Sequence, residues 1–132
     1  MRARAGREVS FMARTDTAVV GEEARAIAKH LWIAPRKVRI VLDVVRGKDV
    51  EEALTLLKFL PKRASLMVSK AIKSAAANAE QNHGMKRDSL FVAEAFADGG
   101  PTLKRHQPRQ RGRAFPIKQH TTHITVVVRE RR

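Results

Sequence analysis

Residues 90–129 read LFVAEAFADGGPTLKRHQPRQRGRAFPIKQHTTHITVVVR, and the fold turns on this stretch. At its start Leu90, Val92, Glu94 and Phe96 alternate with Phe91, Ala93, Ala95 and Ala97. At its end Ile124, Val126 and Val128 alternate with Thr125, Val127 and Arg129. A period of two in β-branched and aromatic residues predicts two strands that pair antiparallel. From Gly99 through Arg129 there is no acid, while Lys104, Arg105, Arg109, Arg111, Arg113, Lys118 and Arg129 are basic. Side chains so polar and so alike in charge cannot be buried without partners, so the hairpin about 90–129 must project from the body. Pro101, Pro108 and Pro116 remove ladder donors and Gly112 is conformationally permissive, which predicts an irregular tip around 106–113. A strand from Leu90 to Arg105 would reach roughly 50 Å at about 3.3 Å per residue.

On the N-terminal side of the arm the period changes to that of helices. Pro35 suits a first helical turn, and Val38, Val41, Leu42 and Val45 recur at i, i+3, i+4 and i+7 before Gly47. The other side of this helix carries Arg36, Lys37, Arg39 and Arg46 against the single acid Asp43. Asp49 and Glu52 have the spacing of a capping box, predicting a short second helix to about Phe59. Pro61 opens a third, longer helix with the apolar stripe Ala64, Met67, Val68, Ala71, Ile72, Ala75 and Ala79, ended by a left-handed Gly84. Its alanines allow close approach of a sheet. Before the first helix, residues 24–32 are read as a strand, and residues 1–21 as a basic N-terminal extension outside the domain that spans 22–132. The fold expected is α+β, a small body of three helices and an antiparallel sheet with a long protruding β-hairpin.

At 132 residues the chain has the length of one domain. Its 27 Lys and Arg against 13 Asp and Glu leave a formal charge of +14, which calls for a polyanionic partner, while 43% apolar residues suffice for a core. Without cysteine there is no disulfide, thiolate catalysis or Cys-based zinc site. No apolar run approaches the roughly 20 residues of a membrane helix, so no membrane partner is expected. His120 and His123, with His106 nearer the tip, lack the carboxylate or cysteine that would complete a metal shell. The acids Asp49, Glu51 and Glu52 suit a helix N-terminus better than a nuclease pair. Phosphate loops and nucleophile motifs are missing, so neither an enzyme nor a cofactor is expected. Trp32 and Phe59 are read as core residues rather than stacking platforms. The acid-free run decides between a solvated face, which mixes signs, and a nucleic-acid contact, in which each Lys or Arg neutralises a phosphate.

Four stretches in order, APRKVRIVLDVVRGK (34–48), SAAANAEQNHG (74–84), GPTLKRHQPRQRGRA (100–114) and HITVVV (123–128), closely resemble the bacterial protein family numbered twenty-two of the large ribosomal subunit. The resemblance runs from about Ala24 to Arg129. It implies a structural protein of the cytoplasmic ribosome that binds large-subunit ribosomal RNA, supports assembly and contacts neighbouring ribosomal proteins. It further implies a hairpin tip lining the nascent polypeptide exit tunnel, with an influence on macrolide response. Carried onto this chain, the tip is Leu103, Lys104, Arg105, His106, Gln107, Pro108, Arg109, Gln110, Arg111, Gly112 and Arg113. The RNA-facing bases of the body are Arg36, Lys37, Arg39 and Arg46, and those of the arm and its strands are Lys104, Arg105, Arg109, Arg111, Arg113, Lys118 and Arg129. No self-association is expected. The extension before Glu22 and the apolar Phe115 just past the tip depart from the family pattern.

Overall fold

A central strand buried on both sides organises the molecule. The computed structural model describes residues 22–131, and the extension read over 1–21 lies outside them. In chain order the elements are β1 (Glu23–Leu31), α1 (Pro35–Val45), α2 (Val50–Phe59), α3 (Arg63–His83), β2 (Leu90–Gly99), β3 (Leu103–Pro108), β4 (Ala114–Gln119) and β5 (Thr122–Glu130). The strands β1, β5 and β2 form one antiparallel sheet in that order, and β3 and β4 form a separate two-stranded ribbon. Ile124, Val126 and Val128 of β5 are completely buried, as the run of β-branched residues requires of a middle strand. The result is the α+β fold expected, with three helices over one face of the sheet.

The helices are placed by their apolar stripes. Val38, Val41, Leu42 and Val45 of α1 are all fully buried, and α1 lies along β2. Across from it, α3 lies on β1 and β5 with Ala71, Ala75 and Ala79 turned inward, while Ala24 and Ala26 are the buried residues of β1. Alanine on both sides brings helix and strand backbones close together. Leucine at Ala75, which is fully buried, should therefore overpack the contact and cost about 1–3 kcal/mol, read as a lower denaturation midpoint. An unchanged midpoint would show slack that the structure does not contain. As read from the sequence, α3 ends at Gly84, whose left-handed backbone (φ 63°) turns the chain so that the Met85 N–H donates back to the Ala79 carbonyl at 3.1 Å.

Several expectations need correction. The strict alternation read over 90–97 breaks at Ala93, where the register passes from Val92 opposite Val128 to Glu94 opposite Val127. The extra residue reverses the phase, so Leu90 and Val92 face inward before it, Ala95 and Ala97 after it, and Phe96 is turned to solvent. Asp49 does precede α2, but its carboxylate meets Arg131 at 3.3 Å instead of capping the helix. Helix α3 begins at Arg63, two residues after Pro61. Most consequentially, Trp32 (56% exposed) and Phe59 (81% exposed) are not core residues. Trp32 lies just beyond β1, and Phe59 is on the last turn of α2, off the buried stripe of Val50, Ala53, Leu54 and Leu57.

The two ends of the body differ. At one end β5 enters from the arm, Thr122 pairs with Leu31 and Gly99, and α1 begins. At the other end, β2 and β5 meet at Leu90 and Glu130, the α1–α2 connection bonds to β2 through Gly47 and Lys48 at Val92, and α3 finishes. The orientation of α3 follows from Asn78, whose amide donates to the Arg25 carbonyl near the start of β1. Because α3 stays buried along its length over the sheet, its first turn, some 22 Å from Asn78 at about 1.5 Å per residue, lies toward the arm-bearing end.

Candidate nucleic-acid interface

The arm is a ribbon with solvent on both faces. Every residue from Lys104 to His120 is exposed, and each paired position follows a simple register: Leu103 with Gln119, Lys104 with Lys118, Arg105 with Ile117, His106 with Pro116, Gln107 with Phe115 and Pro108 with Ala114. Side chains opposite each other share a face, so Lys104 and Lys118 stand side by side. Like charges at that spacing repel, and nothing acidic follows Asp98 until Glu130. The arrangement is favourable only against an anion. On the other face Arg105 lies beside Ile117, and the Arg109 guanidinium sits 5.5 Å from the centroid of the Phe115 ring. Phe115, an odd residue in the sequence, thereby orients a tip arginine through its π face.

Pairing persists further than the prolines suggested. Strand β3 continues through Gln107 and Pro108, so the irregular tip is limited to 109–113 rather than 106–113. There the Arg109 N–H donates to the Arg113 carbonyl at 2.8 Å, and the chain turns through two successive left-handed residues, Arg111 (φ 55°) and Gly112 (φ 69°). Glycine accepts that conformation freely, whereas arginine does not. The turn leaves a hollow of about 480 Å³ lined by Arg109, Gln110, Arg111, Arg113 and Phe115. Three guanidinium groups around one ring suit phosphates and bases alike.

The stretch from Leu90 to Arg105 is not one continuous strand. Between Gly99 and Leu103 it leaves the body sheet and enters the ribbon, and 120–121 makes the corresponding break on the return. At this root the Gly100 N–H donates to the Thr121 carbonyl at 2.8 Å, and the Thr121 hydroxyl donates to the Pro101 carbonyl at 2.6 Å. Any side chain at Gly100 would collide with that hydroxyl.

The bases of α1 divide into two kinds. Arg39 donates from Nε and Nη2 to the Ala97 carbonyl, and Arg46 from Nε to the Ala95 carbonyl while pairing with Asp43. These two clamp α1 onto β2, on the stretch behind the bulge. Arg36 and Lys37 are exposed at the start of α1 and meet no acid among the described residues. Arg129 lies at the opposite end from the arm, bonded to Glu23 at 2.8 Å and Glu94 at 3.2 Å. The Glu23 hydrogen bond raises its pKa above the ordinary value, with Glu94 adding to the effect and partial burial opposing it. Its charge is spent within the protein.

The remaining clusters are structural. Glu51 pairs with Arg87, Glu52 with Lys48 and Asp49 with Arg131. His123 accepts the His30 N–H at Nδ1, its ring edge-on to the His30 ring, while His120 lies 3.5 Å from the Thr102 hydroxyl. No three His, Asp or Glu side chains come together around a metal position among the described residues. Lys62, Arg63, Lys70 and Lys73 are legible in the sequence as lying off the apolar stripe of α3, but neither they nor Lys58 at the α2–α3 corner were assigned a binding role. The available signal was a second acid-free run, from Ala53 to Ala79.

A helix-covered sheet that holds out an acid-free, cationic two-stranded ribbon defines a scaffold-type protein with a surface suited to a polyanion. Residues 26–129 match the family model described as Ribosomal protein L22p/L17e, and the chain belongs to that family. It is 62% identical over 109 residues to the large ribosomal subunit protein uL22 of Thermoanaerobacter sp. (strain X514), covering 83% of this chain and 98% of that one. With the uL22 of Carboxydothermus hydrogenoformans the identity is 54% over 110 residues, or 83% and 97% of the two chains. With that of Clostridium novyi it is 56% over 109 residues, 83% and 98%. Membership makes the chain a structural, non-enzymatic constituent of the large ribosomal subunit, placed with the ribosome in the cytoplasm.

Proposed function

We propose that the chain binds large-subunit ribosomal RNA through its arm and the exposed start of α1, supports assembly of the subunit, and presents its hairpin tip to the nascent polypeptide in the exit tunnel. The observation that carries this is the ribbon itself, with Lys104 directly opposite Lys118 and no acid on either strand. Such a ribbon threads between RNA segments, and its cations neutralise phosphates that would otherwise keep those segments apart. Lys104, Arg105, Arg109, Arg111, Arg113 and Lys118 make the arm's contacts, and Arg36 and Lys37 those of the body. Arg39 and Arg46 contribute with the N–H groups left over from their carbonyl bonds, and Arg129 contributes least because Glu23 and Glu94 hold it. Neighbouring ribosomal proteins complete the contacts, and changes at the tip alter macrolide response by reshaping the tunnel wall.

The test places a photoreactive side chain at Gln110, exposed on the tip, in cells whose ribosomes carry a stalled nascent chain. The protein should cosediment with salt-washed large subunits and cross-link to the nascent chain, and the same group at Glu52 should not. Cosedimentation with no nascent-chain product from Gln110 would leave RNA binding standing and remove the tip from the tunnel.

A further inference from the structure

We propose that Trp32 and Phe59 are stacking platforms for unpaired bases of the bound RNA, so that the arm-bearing end of the body forms a second contact surface beside the ribbon. The proposal rests on the RNA-binding reading above and names a site outside the residues assigned there.

Both rings project from places where the fold holds them out. Trp32 follows the last residue of β1, whose partner Thr122 marks the root of the arm, and the turn there is fixed by the Thr122 hydroxyl donating to the Ile33 carbonyl at 2.5 Å. Phe59 ends α2 at the corner leading into α3, where the Lys62 N–H donates to the Leu60 carbonyl at 2.8 Å and the Ser65 N–H to the Lys62 carbonyl at 3.0 Å. Neither ring could enter the core without undoing these turns, because the inward positions are filled by Ile33, Leu57 and Ala64. Rings this exposed offer flat apolar faces that a partner can cover.

Charge selects the partner. Near Trp32 stand Arg36 and Lys37, and near Phe59 stand Lys58, Lys62 and Arg63, with no acid in either neighbouring stretch of chain. Acids are instead gathered at the far end, where Glu23, Glu94, Glu51, Glu80, Glu52 and Asp49 are engaged by Arg129, Arg87, Lys48 and Arg131. At the arm-bearing end Asp98 alone is acidic among the described residues, on the strand leading into the arm. Exposed apolar residues such as Leu56 and Leu66 lie in the same stretch as Phe59, but the charged neighbours of both rings along the chain are cations, which fits a polyanion that also offers flat π faces, single-stranded RNA.

Trp32 is the only tryptophan and the chain has no tyrosine, so its emission reports this site directly. Large-subunit ribosomal RNA added to the full chain should quench that emission as binding, followed separately by filter retention, saturates. Trp32→Ala and Phe59→Ala should each weaken binding by about tenfold or more, the scale of one base stack. Trp32→Phe should keep near-full affinity and Trp32→Leu should behave like Trp32→Ala, with circular dichroism confirming that each variant is folded. Unquenched emission at saturating RNA would overturn the proposal while leaving RNA binding intact. Full affinity in Trp32→Leu would overturn it too, pointing to an apolar docking face for protein. Failure of the unaltered chain to bind the RNA would bring down the underlying reading and this one together.

Discussion

Between 50 and 200 mM salt, the affinity of the chain for large-subunit ribosomal RNA should fall by about 10³ to 10⁵. The formal charge of +14 supplies the force, and the structure says how much of it is available. Arg46, Lys48, Arg87, Arg129 and Arg131 are paired with acids inside the protein, so their counterions are not released in full. The arm cations and the start of α1 remain free for roughly 6 to 10 phosphates, each contributing close to one unit to the slope of log K against log salt. A titration by filter retention measures this slope. A nearly flat line would mean that base contacts or apolar docking dominate, and the electrostatic account would be wrong.

Excising the arm should separate the stability of the body from its affinity. Gly100 and Thr121 are already hydrogen-bonded across the root, so an Asn-Gly turn replacing 101–120 closes the body sheet in the register it already has. The ribbon forms a sheet of its own, its residues are exposed apart from the half-buried Leu103, and none belongs to the core, so its removal takes little from the body. The Thr121 hydroxyl loses the Pro101 carbonyl, a cost of about 1 kcal/mol that shorter loop closure partly offsets. Folding stability measured by denaturant should therefore change little. RNA binding should change greatly, because Lys104, Arg105, Arg109, Arg111, Arg113 and Lys118 leave together. The salt slope should shrink by about 4 to 5 and the affinity fall by about 10³-fold or more. Undiminished binding by the excised chain would assign recognition to the body, whereas an unfolded body would show that the ribbon supports it.

The arm was legible in the sequence because its signal is local. An acid-free run flanked by two strands of period two cannot be packed away, whatever the rest of the chain does, and the helices were marked by stripes at i, i+3, i+4 and i+7. Alternation failed at Ala93, since a bulge depends on what pairs opposite and not on the strand's own residues. Among the candidate site residues, Lys104 and Arg129 looked alike as letters. Only the fold sets the first against Lys118 in solvent and the second between Glu23 and Glu94.

By itself, then, the sequence called for a polyanionic partner and determined the presence of a projecting arm and the number and order of the helices, because net charge, period and turn residues act over a few positions at a time. Tertiary structure alone decided which cations are free, which are clamps such as Arg39 and Arg46, and that Trp32 and Phe59 face outward. The decisive contacts join groups far apart in the chain, 49 residues for Arg46 with the Ala95 carbonyl and 106 for Arg129 with Glu23. Burial and ion pairing are properties of such meetings, and no local pattern records which distant residue a side chain will find.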